Sequence, residues 1–284
     1  MFQLRSDQLA SIILRFAALL CAAVLLAIIA VLLKESAPVL SEGGWQKFFI
    51  DTGWYPLEGL FGMLPMLLAS LAVMGLAIVL AAPLGIACAI FVAFVAPDFL
   101  RKPYRFLIAL LAGMPSVVLG LWGLMALVPV IASWQPPGTS LLVAGFVLSL
   151  MILPTVSLTT LAAFESLPNS LQQGAAAMGI RQSSQILKIL MPAASASIAG
   201  GILLAVARAL GETMVVLMVA GNVVQYPTGL FQPVRTLTAN IALEMAYATD
   251  LHRAALFFSG LLLTALVLII AYGAARLQRG AHHV

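Results

Sequence analysis

The chain has 284 residues, 63% of them hydrophobic and only 8% charged, with a formal net charge of +4 and a mean hydropathy of +1.11. An ordinary soluble domain carries roughly 25% charged residues, so there is too little polar surface here to cover a water-soluble globule, and the solvent must be largely lipid. The basic excess does not point to nucleic acid, because Lys and Arg stand in small groups between apolar runs with no aromatic platform among them.

A spanning helix needs about 20 mostly apolar residues, and six regions supply them: 12–33, 60–96, 104–132, 140–163, 195–223 and 251–275. The expected fold is therefore all-α and integral to the membrane, with six transmembrane helices. Arg5 and Arg15 accompany the first region as they would a signal peptide, but its apolar run exceeds the usual stretch of about 7–15 residues. Lys34 and Glu35 follow it without a small-residue cleavage site, so an uncleaved helix is expected. The second region is longer than one span requires and should be tilted, extended beyond the bilayer, or broken near Pro83–Gly85. Cys21 and Cys88 lie inside apolar runs without metal-ligand spacing, which argues against a disulfide framework or a zinc site.

Orientation follows from Lys and Arg, which are enriched in cytoplasmic loops. With the N-terminus inside, the cytoplasmic segments hold Arg5, Arg15, Arg101, Lys102, Arg105, Arg181, Lys188, Arg276 and Arg279. The other face holds only Lys34, Lys47, Arg235 and Arg253. An N-in, C-in topology results, with outer loops at about 34–59 and 224–250 and one large inner segment at about 164–194.

That inner segment contains Gln173-Gly174-Ala175-Ala176-Ala177-Met178-Gly179 and, further on, Ile189-Leu190-Met191-Pro192. It should form a short Ala-rich helix, a Gly turn, and a second helix carrying Arg181 and Lys188, with Pro192 opening the next element. Such a helix–turn–helix is either a connector lying on the membrane surface or a feature that another protein grips.

The segment resembles the loop of ABC importer permeases that reads Glu-Ala-Ala, three residues, Gly, nine residues, Ile, one residue, Leu-Pro. Gly179, Ile189 and Pro192 fall in register, whereas Gln173, Gly174 and Met191 replace Glu, Ala and Leu. The resemblance implies coupling helices that sit in a cleft of an ATPase subunit, with Gln173, Ala175, Gly179, Ile189 and Pro192 as contact positions. Four further stretches are similar to the phosphate-specific permeases of the Pst system, PstC type. They are Glu35–Leu40, Phe61–Pro65, Leu111–Val118 with Gly120 and Trp122-Gly123, and Arg208–Met214 with Gly221-Asn222. This family resemblance runs from about residue 30 onward and implies a type I importer permease (MetI-like) fold. It implies a first helix and periplasmic segment over 1–59 and a permease core over 60–284. Implied partners are a homologous permease of the PstA type, two ATPase subunits that bind ATP and Mg, a periplasmic phosphate-binding protein, and the lipid of a bacterial inner membrane. One departure is Phe94, where the family often has Glu.

Arg208 and Glu212 stand in an otherwise apolar run, where each charge costs on the order of 2.5–3.5 kcal/mol. A spacing of four would put them on one helical face as an ion pair. They would then serve either as a clamp between helices or as an anion path, in which a guanidinium fork meets phosphate oxygens and Glu212 holds it when the path is empty. The family resemblance favours the path, with Thr213 and Ser116 beside it. Gly113, Pro115, Ser116 and Gly120 could open a helix toward a pathway or serve close packing. For Thr155, Ser157, Thr159 and Thr160, which follow Pro154, back-bonding to a kinked helix is the expected role. His252, His282 and His283 are expected in solvated positions rather than on a metal.

No Walker-type Gly-rich loop, His-Glu-x-x-His pair or Gly-x-Ser-x-Gly elbow occurs, so catalysis is not expected and ATP must bind elsewhere. The alternatives are a PstA-type sister subunit, a permease for another oxyanion, or an ion-coupled secondary transporter. The last should carry an internal repeat, and none is visible.

Overall fold

A computed structural model describes residues 2–43, 45–51 and 53–281; His282 and His283 fall outside it. Helix α1 (Phe2–Gly43) runs unbroken past Lys34-Glu35 and through Pro38, so the expected loop at 34–59 begins as helix. Its 11–33 stretch presents apolar side chains outward, as a lipid-facing helix should, and it packs against α13 (Asp250–Ala281). A one-turn helix α2 (Lys47–Ile50) follows. Phe48 on it is fully buried, stacked on Phe258 of α13 at 4.0 Å between ring centroids. A hairpin comes next, with β1 (Trp54–Tyr55) and β2 (Leu60–Phe61) antiparallel and Trp54 opposite Phe61.

Helix α3 (Leu64–Ile90) continues through a π turn at Phe91–Val95. The possible break at Pro83–Gly85 does not occur, and length is accommodated in one long helix. The centre of the molecule is α3 against α7 (Leu141–Glu165), the most buried of the long helices. Small residues allow that approach, as interfaces between membrane helices generally require. A Cβ on Gly85 would meet Val156 at 2.8 Å, and one on Gly145 would meet Leu76 at 2.6 Å.

The expected third helix, 104–132, is two pieces. Helix α4 (Asp98–Gly113) ends where Met114 and Pro115 are both extended. Then α5 (Ser116–Trp122), a π turn at Gly123–Leu127 and α6 (Val128–Ala132) leave at 91° to α4. Pro115 causes the break, because it drives Met114 out of the helical region. Five helices are thus long and apolar enough to cross a membrane, or six if the bent pair counts as one span.

After α7 come α8 (Asn169–Ala177), α9 (Gln182–Gln185), a π turn at Ile186–Leu190 and α10 (Met191–Leu210), the last three forming one rod. Pro192 lies just after the π turn within this rod and does not end it, so the separate element it was expected to open does not exist. The expected fifth helix, 195–223, is also corrected. It stops at Leu210, turns at Gly211–Thr213, and resumes as α11 (Met214–Val219). A loop then leads to α12 (Leu237–Glu244), capped by Thr236, and on to α13.

Candidate translocation path and coupling loop

Arg208 lies in the last turn of α10, exposed on the isolated chain, and its Nη1 donates to Thr155 Oγ1 at 3.4 Å. Leu204, Val117, Val118 and Met214 are exposed as well. The expected Arg208–Glu212 ion pair does not form. Helix α10 ends before Glu212, and that carboxylate turns instead to the next helix, its Oε1 accepting from Val215 N–H at 3.1 Å. An N–H in the first turn of a helix has no partner within the helix, and a carboxylate there is also favoured by the helix dipole. Among the described residues Arg208 therefore has no carboxylate partner.

Thr213 is half-buried beside Glu212, its hydroxyl aimed at Gly211 O at 3.5 Å. Ser116 opens α5, also half-buried. The two breaks are brought together, because α5 packs on α11: a Cβ on Gly120 would lie 3.2 Å from Val215 Cα and 2.9 Å from Met218 Sδ. Gly120 thus serves close packing, while Gly113 faces open space at the bend. Thr159 back-bonds to Thr155 O at 2.8 Å, as expected after Pro154, but Thr155 itself faces Arg208. Ser157 and Thr160 are buried with unpartnered hydroxyls, so back-bonding does not explain them.

At the other end of the molecule, α8 terminates in a Schellman turn. Gly179 has φ +67, its N–H bonds Ala176 O at 3.0 Å, and Ile180 N–H bonds Ala175 O at 3.1 Å. Ala175 is buried, Ile189 is half-buried, and Gln173, Met178, Gly179 and Pro192 are exposed. The loop is tied to the end of α3 by Gln182 Nε2 donating to Phe94 O at 2.8 Å, and α9 is tied to α8 by Gln185 Nε2 donating to Gln172 O at 3.2 Å. Phe94 packs edge-on against Phe164 at 5.2 Å, and the neighbouring Glu165 pairs with Arg105. An aromatic contact stands where the resemblance implied a carboxylate.

A third cluster was not singled out from the sequence. Glu244, with a side chain 9% exposed, accepts from Arg235 Nη1 at 2.7 Å and from Trp54 Nε1 at 2.7 Å, and its Oε2 lies 2.8 Å from His252 Nε2. Arg235 also donates to Asn222 O at 2.8 Å and to Asn240 Oδ1 at 3.1 Å. His252 is accordingly not solvated, its side chain being 15% exposed. Among the described residues no His, Cys, Asp and Glu group has metal-holding geometry. The cluster borders a cavity of about 480 Å³ that Trp54, Tyr226 and Arg235 help to line. Trp54 and Glu244 are 190 residues apart, which is why no local pattern announced the contact.

Comparison with known proteins gives a consistent result. Residues 81–280 match the family described as the binding-protein-dependent transport system inner membrane component. The chain is 40% identical over 240 residues to a probable ABC transporter permease protein, YqgH, of Bacillus subtilis, covering 81% of this chain and 78% of that one. It is 34% identical over 287 residues to the phosphate transport system permease protein PstC of Xylella fastidiosa, covering 90% and 88%. In three dimensions it resembles a chain of the inward-facing MetNI methionine ABC transporter, with a TM-score of 0.60 at 17% identity over 80% of this chain and 98% of that one. It also resembles a chain of a bacterial ABC transporter involved in alginate import, with a TM-score of 0.59 at 19% identity over 92% and 95%.

Proposed function

The chain belongs to the inner-membrane components of binding-protein-dependent transport systems, and from that premise we propose that it lines the path of an ATP-driven importer whose cargo is phosphate. The permease carries no ATP site of its own. A partner ATPase holds ATP and Mg and grips the exposed Gln173–Gly179 turn and the start of the α9–α10 rod. Six spans run N-in and C-in, counting α4 and α5–α6 as the bent one, so that the α8 end is cytoplasmic and the hairpin end periplasmic. A loaded phosphate-binding protein docks at the hairpin end, and a homologous PstA-type permease completes the path. The similarity to PstC from Xylella fastidiosa supports the cargo.

One observation carries the path assignment: Arg208 sits at a helix break, exposed and, among the described residues, without a carboxylate partner. A charge left so in a membrane segment must meet a polar cavity or a ligand, and guanidinium is the group whose planar fork matches phosphate oxygens. Ser116, which opens α5, and Thr213, which precedes α11, are the neutral side chains assigned to the same path.

Because Glu212 is satisfied by the α11 backbone, Arg208→Gln orphans no charge and isolates the role of the guanidinium. Measured in vesicles holding the whole assembly, phosphate uptake should fall by about tenfold to a hundredfold, the equivalent of one charged hydrogen bond at ~1.5–3 kcal/mol. Near-normal uptake by a fully assembled variant would remove Arg208 from the path.

A further inference from the structure

The turn that carries Glu212 is held from the hairpin end by a directed chain of hydrogen bonds. Ala239 N–H donates to Thr236 Oγ1 at 3.3 Å, Thr236 and Thr238 share a bond at 3.1 Å, and Thr238 Oγ1 donates to the Glu212 carbonyl at 3.1 Å. A hydroxyl has one proton, and that of Thr238 is committed to Glu212, so Thr236 must donate to Thr238. All donors then point one way, and such chains polarise one another. Thr236 and Thr238 are both buried. Only about 10 Å³ remains between them, Ser70 and Glu212, at the lower limit of what one water requires, so water cannot readily replace a lost hydroxyl.

The same segment holds α11 at its far end. Asn222 Nδ2 donates to Leu217 O at 2.7 Å, and Val234 N–H donates to Ala220 O at 2.8 Å. Ser70 of α3 steadies the first turn of α12 by accepting from Leu237 N–H at 3.0 Å. The other end of α12 is Glu244, where Trp54 of the hairpin, Arg235 and His252 of α13 converge. Helix α12 therefore joins the Glu244 cluster at the hairpin end directly to the turn between Arg208 and α11.

We propose that Thr238 is a positioning residue that transmits binding at the hairpin end, through α12, to the Glu212 turn beside Arg208. The inference rests on the importer function above, with the binding protein as the ligand of that end. It needs no contact between Thr238 and the cargo.

The test uses the complete assembly in lipid vesicles with phosphate-loaded binding protein, and it compares ATP hydrolysis with and without that protein. Thr238→Val keeps the shape and removes the hydroxyl. Basal hydrolysis should stay within about twofold, while stimulation should drop by about threefold to tenfold, as one lost neutral hydrogen bond implies. Thr238→Ser should restore it. Trp54→Phe, which removes only the indole donor at the far end of the same relay, should lower stimulation in the same direction. Full stimulation of Thr238→Val, or equal loss of basal and stimulated rates, overturns the proposal. If Thr238→Val does not assemble, Trp54→Phe decides at saturating binding protein, where weakened docking no longer limits the rate: reduced maximal stimulation over a preserved basal rate supports the relay, and unchanged maximal stimulation overturns it. Absence of stimulation in the unaltered assembly would instead count against the importer function itself.

Discussion

Two glycine turns end two helices of this permease, and they are built in opposite ways. At Gly179 the turn is local: left-handed φ, two backbone bonds back into α8, and open space around the missing side chain. At Gly211 the backbone is ordinary for any residue, with φ −82 and ψ −5. There the break is held by a side chain three residues before its partner, Glu212 to Val215, and by Thr238, 26 residues away. The first turn is a rigid handle whose shape is set by its own residues. The second has its shape set by distant ones, and so it can respond to them.

The largest expected effect comes from attacking the local turn. In Gly179→Val a β-branched residue would sit at φ +67, where left-handed backbone costs about 1–2 kcal/mol for an L-residue even before β-branching is counted. The added side chain meets no neighbour within the chain, so the spans should insert and pack normally while the exposed turn is reshaped. Uptake per ATP hydrolysed, measured in vesicles, should fall by roughly tenfold or more for a distortion of ~1.4 kcal/mol. An unchanged ratio would mean that the Gly179 turn is not what the ATPase grips.

How much could be read in advance follows the same division between local and distant causes. The apolar runs revealed that the chain crosses a membrane several times, although two of the six expected spans proved to be broken or shorter, and the Gln173–Pro192 segment revealed its helix–turn–helix because Gly179 is a local stop signal. Pro115 was visible as a disruption, but the 91° bend it produces depends on where α5 finds its packing partner, the Gly120 face against Val215. The end of α10 was hidden. Gly211 is a weak breaker in an apolar run, and the bonds that stabilise the break come from α11 and α12, so Arg208 and Glu212 read as one helical face when they are not. The Trp54–Arg235–Glu244–His252 cluster was equally hidden, since its members come from β1, the loop before α12, α12 and α13, with Trp54 far from the others in sequence.

A smaller effect is expected at the cap of the second turn. Glu212→Ala removes the acceptor of Val215 N–H and should cost about 1 kcal/mol, the usual value of a lost helix cap. Glu212→Gln retains a carbonyl oxygen for that N–H and should cost less than half as much. Thermal unfolding of the purified assembly distinguishes the two. Equal destabilisation by both variants would show that the negative charge, acting on the α11 dipole, and not the hydrogen bond, holds the turn.

The smallest effect, and the sharpest contrast with Gly179, is expected for Gly211→Ala. A Cβ at this position would find only Ala207 O and Arg208 O, each at 3.8 Å, which is ordinary contact. The backbone angles there are open to alanine, and alanine restricts the unfolded chain, so the substitution should be neutral or stabilise by up to about 1 kcal/mol. The same exchange at Gly179 should destabilise by about 1 kcal/mol, because there the left-handed φ penalises any side chain. Side-by-side melting of the two alanine variants therefore predicts shifts of opposite sign or, at Gly211, none. Phosphate uptake by Gly211→Ala should remain within about twofold, since glycine's freedom contributes nothing to a turn fixed by Glu212 and Thr238. If melting is unchanged but uptake collapses, residue 211 must visit a left-handed conformation elsewhere in the transport cycle, and the turn would have to be described as a hinge that uses its glycine, not as a break held in place by its neighbours.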